Sequence, residues 1–115
     1  MILGFSLGIL FIKNELNQSL LHVAAFLGAL KCLNYILYFN LINPNELDNN
    51  NNSPLYYAVS NLKTEDDRNK SVLAHLLKIT DISQVTPNGE DLTQMMTDWQ
   101  RDLLHNHKDF YIVID

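Results

Sequence analysis

The chain is poor in the residues that give many small domains their chemistry. Cys32 is its single cysteine, so no intrachain disulfide can form, which fits a reducing compartment. Eight Lys and Arg stand against 13 Asp and Glu, a formal net charge of −5. The basic residues are scattered, and a nucleic-acid backbone would need them clustered. There is no phosphate-cradling glycine loop, no Cys-x-x-Cys, no His-Glu-x-x-His and no nucleophile elbow. Nor is there an apolar run long enough for a transmembrane helix. The most apolar stretch, Met1–Ile12, is uncharged with nine apolar residues out of 12, too short to cross a bilayer. It lacks the basic start and small-residue cleavage site of a secretory signal.

What is present is a globular composition. Hydrophobic residues make up 47% and charged residues 18% of 115, so the chain can bury a core, whereas a disordered chain is more polar. One domain of this length buries roughly two thirds of its unfolded surface. The stretch Ser19–Gly28 organises it. Ser19 is placed to cap a helix, its oxygen accepting an N–H that the first turn leaves unpaired. Leu20, Leu21, His22, Val23 and two alanines follow, and Gly28 permits the positive φ that ends a short helix. Leu30, Leu33 and Leu37 then share one face of a second helix. The element is a helix–turn–helix pair.

A second pair begins 34 residues later, at Ser53. Pro54 stands at the first helical position behind this cap. The stretch Ser53–Val59 repeats Ser19–Ala25, and Ser71–Lys78 is its partner helix. Residues 61–70 between them hold Glu65, Asp66 and Asp67 and read as an extended, solvated connection. The connectors before each unit are rich in Asn, and the run Asn49–Asn52 reads as a β-turn tip, since Asn tolerates left-handed backbone. Thr86–Asp91, with Pro87, Asn88, Gly89 and Glu90, is a third connector of this kind. Two helices and a turn-rich connector, repeated at this period, are the signature of a repeat array.

Leu92, Met96, Trp99 and Leu103 follow at spacings of four, three and four, a stripe down one helix of about four turns with Asp91 as its cap. Gln94, Asp98, Arg101 and Asp102 give it the polar outer face that a terminal unit needs. Residues 109–115 hold the apolar run Phe110–Ile114, which reads as a short strand. Either it packs over the cap or the natural domain continues beyond Asp115. At the other end Ile2, Phe5, Ile9 and Ile12 fit a helical face, while Leu3, Phe5, Leu7, Ile9 and Phe11 fit a strand's alternation. A terminal helix is the expectation, because a terminal unit must cover its neighbour's core.

These units resemble the ankyrin repeat. Ser19-Leu20-Leu21-His22-Val23-Ala24-Ala25 with Gly28 is similar to its Thr-Pro-Leu-His-x-Ala-Ala…Gly. Asp48, Asn51, Ser53, Pro54, Leu55 and Tyr56 are similar to its Asp-x-x-Gly-x-Thr-Pro-Leu-His, and Asp81-Ile82-Ser83 to the Asp-Val-Asn after the second helix. Tyr56 and Gln94 stand at the second and third histidine positions, and Asp91 replaces a threonine. The resemblance covers about residues 13–96 and implies an all-α stack of antiparallel helix pairs joined by β-turn or hairpin connectors. In that stack 1–18 is a partial N-terminal unit, 19–52 the first repeat, 53–90 the second and 91–115 a cap and tail. It further implies a protein-binding scaffold, no enzyme, monomeric and without a cofactor, that reads a partner through its turn tips and first helices. Carried over residue by residue, that surface holds Glu15, Leu16 and Gln18, then Phe26 and Leu27, then Asn49, Asn50 and Asn52. Ser60 and Asn61 follow, and Pro87, Asn88 and Glu90 complete it. The family's use in secreted bacterial effectors adds a host-cell cytosol to an ordinary cytoplasm as an address. The alternative function is a fragment or regulatory domain of a larger chain.

Of the four histidines, His22 reads as a turn-bonding residue and His75 as packed or half exposed within its helix. His105 and His107 are two ligands without a third, which makes a metal site weak. Cys32 reads as a small core residue. Tyr57 and Phe26 are the aromatics expected to show exposure, and Leu33 and Leu76 are expected in the core.

Overall fold

In the computed structural model, residues 12–80 and 91–105 are described. The expected N-terminal helix, the strand at Phe110–Ile114 and the connector with Pro87, Asn88 and Glu90 lie outside these residues. The described elements are all helical: α1 (Leu20–Leu27), α2 (Leu30–Tyr38), α3 (Pro54–Asn61), α4 (Asp67–Ile79), α5 (Leu92–Met95) and α6 (98–105). α1 and α2 pair, as do α3 and α4. Between pairs α1 packs on α3, α2 on α4, and α3 on α5.

Local chemistry explains the first pair. The Ser19 hydroxyl accepts from the His22 N–H, and the His22 ring in turn accepts from the Ser19 N–H at 3.1 Å, a reciprocal capping box. At the other end Gly28 adopts φ +67°. Its N–H reaches the Ala25 carbonyl and the Ala29 N–H reaches Ala24, which closes a Schellman motif and reverses the chain within two residues. α2 ends the same way, with Asn40 at φ +53°, Asn40 N–H on Leu37 and Leu41 N–H on Ile36. Leu21, Ala24 and Ala25 of α1 and Leu33 and Ile36 of α2 are buried. The small alanines let α3 approach closely.

The second pair shares the frame and departs in its turn. Ser53 caps α3, and Pro54 follows as expected. α4, however, starts at Asp67 and runs 13 residues, so the connection is residues 62–66 and not 61–70. The Asp66 carboxylate accepts from the Asn69 N–H at 2.8 Å, and the buried Asn69 donates to the Thr64 carbonyl at 2.9 Å. The acidic run that reads as a solvated linker therefore contains a helix cap. Leu76, like Leu33, is fully buried.

The terminal unit also differs from its sequence reading. The apolar stripe from Leu92 to Leu103 does not lie on one helix. α5 is four residues long, Met96 is extended at ψ 144°, and α6 starts afresh at 98. Thr97 begins it: its N–H donates to Gln100 Oε1 at 2.8 Å and its carbonyl accepts from Arg101 N–H at 3.0 Å. Thr97 and Gln100 carry the Thr-x-x-Gln pattern, of which the Gln100 half is formed, its side chain accepting from the Thr97 N–H where a new helix starts. Leu92, Met96 and Leu104 are buried, and the wholly buried Gln100 donates to the carbonyls of Val59 and Leu62 at 3.3 and 2.9 Å. This amide ties the last unit to α3.

Candidate functional site

The two turn tips repeat one geometry at 34-residue spacing. In the first, Asn14 N–H donates to the Gln18 carbonyl, and Asn17 N–H to Asn14. In the second, Asp48 N–H donates to Asn52, and Asn51 N–H to Asp48. Asn17 and Asn51 both take left-handed backbone, φ +62° and +63°. The side chain of Asn14 accepts from the N–H groups of Leu16 and Gln18, and that of Asp48 from Asn50 and Asn52. Asparagine fills these positions because its short polar side chain tolerates the left-handed region. The tips stack: Asn49 N–H donates to the Leu16 carbonyl at 2.9 Å and its amide to Glu15 at 3.3 Å.

His22 locks the first pair to the second tip. Its Nδ1 accepts from the Ser19 N–H, so its Nε2 carries the proton, which it donates to the Asn52 carbonyl at 3.0 Å. The residue is buried and acts as a bonding element of the turn. Beside it Tyr57 donates its hydroxyl to Asp48, and Gln18 donates to both, at 3.1 Å to Asp48 and 3.0 Å to Tyr57. Burial works to raise the Asp48 carboxyl. The hydrogen bonds from Tyr57, Asn52, Gln18 and Asn50 outweigh it, so the group is held below the usual carboxylate range. Burial, then donation to Asp48, pushes the Tyr57 hydroxyl up. Asp48 is thus a saturated structural carboxylate, with no geometry for acid–base work. Among the described residues no group of three or more His, Cys, Asp or Glu could hold a metal ion.

This network floors one side of a cleft of about 360 Å³, lined by Gln18, His22, Val23, Phe26, Leu27 and Tyr57. Phe26 and Leu27 are 44% and 58% exposed at its rim. The Phe26 ring meets Tyr57 edge-on at 6.4 Å, and the exposed Asn61 amide donates to the Phe26 carbonyl. Glu15, Leu16, Asn49 and Asn50 stand exposed on the tips, and Ser60 is half-buried, bonded to the Tyr57 carbonyl. Asn52 is the exception among the expected surface residues. It is 5% exposed, because its carbonyl faces His22 and its N–H faces Asp48. It belongs to the framework, and the same contacts exclude it from a reading surface. Tyr57 and Val23 line the cleft without having been expected there. The signal was the repeat itself, since they occupy one register position, 34 residues apart.

Two helix pairs in one register, joined by stacked β-turn tips, define a helical repeat array. Residues 21–66, from α1 to the cap of α4, match the family model described as ankyrin repeats (many copies). Over that stretch the chain is similar to ankyrin repeats, which generally serve as protein–protein interaction modules. No curated protein and no solved structure gives a significant match. No helix among the described residues is long and apolar enough to cross a membrane.

Proposed function

We propose that this chain is a non-enzymatic protein-binding module that reads its partner through the two turn tips and the exposed side of α1 and α3. The observation that carries the reading is the pair Phe26 and Leu27, apolar and exposed at the mouth of the Tyr57 cleft. The tip residues Glu15, Leu16, Asn49 and Asn50 lie on one flank, with Gln18, Ser60 and Asn61 nearer the cleft. Pro87, Asn88 and Glu90 lie outside the described residues and belong to the proposal only through the resemblance to ankyrin repeats. An apolar centre with a polar, hydrogen-bonding rim is the usual anatomy of a binding patch. Asparagine amides supply both donors and acceptors around it. With few anchors the affinity of this unit alone is modest, because anchor quality outweighs area. The protein partner would be met in the cytoplasm, or in a host-cell cytosol if the chain is delivered there.

The test is quantitative affinity capture with the wild-type chain and a Phe26→Ala, Leu27→Ala, Asn50→Ala variant whose helical circular dichroism is unchanged. Removing two anchors should weaken capture of the retained protein by about tenfold or more. A partner held equally by both proteins would place the binding surface elsewhere.

A further inference from the structure

On the opposite side of the pairs, a second surface has features that this reading does not use. Tyr35, Tyr38 and Phe39 cluster at the end of α2. Both tyrosine rings lie 4.9 Å from the Phe39 ring, one tilted and one edge-on. Tyr38 is 82% and Phe39 54% exposed, so packed rings are held in place and still face solvent. A cleft of about 520 Å³ opens beside them between α2 and α4, walled by Leu37, Tyr38, Pro44 and Ile79. Rings held by one another lose little freedom when a ligand covers them. A contiguous exposed apolar patch of this kind is uncommon on a surface with no partner.

The charges at the cleft say what kind of partner fits. Among the described residues lining it, Lys78 and His75 are basic and none is Asp or Glu, in a chain whose net charge is −5. Lys31 is exposed on α2, four residues before Tyr35. The carboxylate of the 39–48 connector nearest in sequence to Pro44, Glu46, is paired with Lys13. We propose that the α2–α4 cleft and its aromatic cluster form a second docking surface, for a protein segment that carries apolar side chains flanked by carboxylates. The apolar side chains enter beside Leu37, Tyr38 and Ile79, and the carboxylates meet Lys78 and Lys31. Charge complementarity of this sort sets partner choice and encounter rate more than total affinity.

Two labelled synthetic peptides test this, identical in their Leu and Phe residues but flanked by glutamates in one and lysines in the other. Each is titrated with the full chain and followed by fluorescence anisotropy. The glutamate peptide should bind about tenfold or more tighter, and added salt should narrow the gap. Tyr38→Ser and Lys78→Glu, both at exposed positions, should each weaken it, whereas Phe26→Ala with Leu27→Ala should not. Loss in that last variant, equal binding of both peptides, or no binding of the glutamate peptide would overturn the proposal. So would a dimer in sedimentation that Tyr38→Ser abolishes, since a second copy would then cover this face. Loss in the Phe26→Ala, Leu27→Ala variant would assign the peptide to the α1–α3 surface; the other outcomes leave that surface to the capture experiment.

Discussion

The two repeats share a frame and differ in how they turn. Ser19 and Ser53, and Asn17 and Asn51, hold equivalent places. At the register position of Gly28, the second repeat has Leu62, with φ −94°. The first pair therefore reverses within two residues through left-handed backbone. The second takes five residues and an acidic cap, and its outer helix is 13 residues long against nine. The caps and tips are constrained because neighbouring units bond through them. The second turn bonds within its own unit through Asp66, Asn69 and Thr64, and also to the last unit, whose Gln100 and Trp99 donate to the carbonyls of Leu62 and Lys63.

The largest expected effect tests whether the shared core makes the two repeats one cooperative body. Leu33 and Leu76 are both fully buried. Truncating either to alanine should cost about 2–5 kcal/mol, the range for a core leucine. Urea unfolding followed by circular dichroism should show one transition moved in each variant. If Leu33→Ala produced a separate early transition, the repeats would be independent and the comparison would have to be drawn between two domains.

A smaller effect isolates the turn. Gly28→Ala places a Cβ at φ +67°, 3.2 Å from Leu62 Cδ2. The left-handed backbone alone costs an L-residue roughly 1–2 kcal/mol. Leu62→Gly gains nothing in exchange, since its φ is already negative and it loses a buried side chain. Both should lower the unfolding midpoint, for opposite reasons. A neutral Gly28→Ala would mean that the first turn does not need its left-handed residue.

How much of this was legible in the sequence follows the range of the interactions. Ser19, Gly28, Ser53 and Pro54 act on residues within one or two turns of themselves, and their roles can be read directly. The positions of Phe26, Leu27 and the tip residues came from the resemblance to ankyrin repeats. Asp66 was hidden because a charge run has the same composition whether it caps a helix or is solvated, and only the Asn69 N–H decides. Thr97 was hidden because apolar spacing continues unbroken across the helix break, although Thr97 and Gln100 carried a capping signal. Asn52 depends on His22, 30 residues away, and no local pattern reports that contact. Tyr57 joins Gln18 across 39 residues for the same reason.

The finest contrast lies in the tips, where Asn14 and Asp48 do the same backbone work with different charge. Asn14 cannot titrate. Asp48 is held below its ordinary range, so its contribution is fully present above the unfolded carboxyl value of about 3.9 and is lost as pH falls through the lower folded value. Asp48→Asn copies the first tip into the second. Its side-chain oxygen can still accept from Asn50 and Asn52, as Asn14 does from Leu16 and Gln18, but the Tyr57 hydroxyl loses its carboxylate acceptor. At neutral pH the variant should be less stable by about 1 kcal/mol, the usual net value of one hydrogen bond. Below pH about 4 the wild type gives up the carboxylate's share and the variant does not, so their unfolding midpoints should converge as pH falls. Parallel stability curves from pH about 7 down to about 2 would mean that the charge on Asp48 adds nothing to what Asn14 provides.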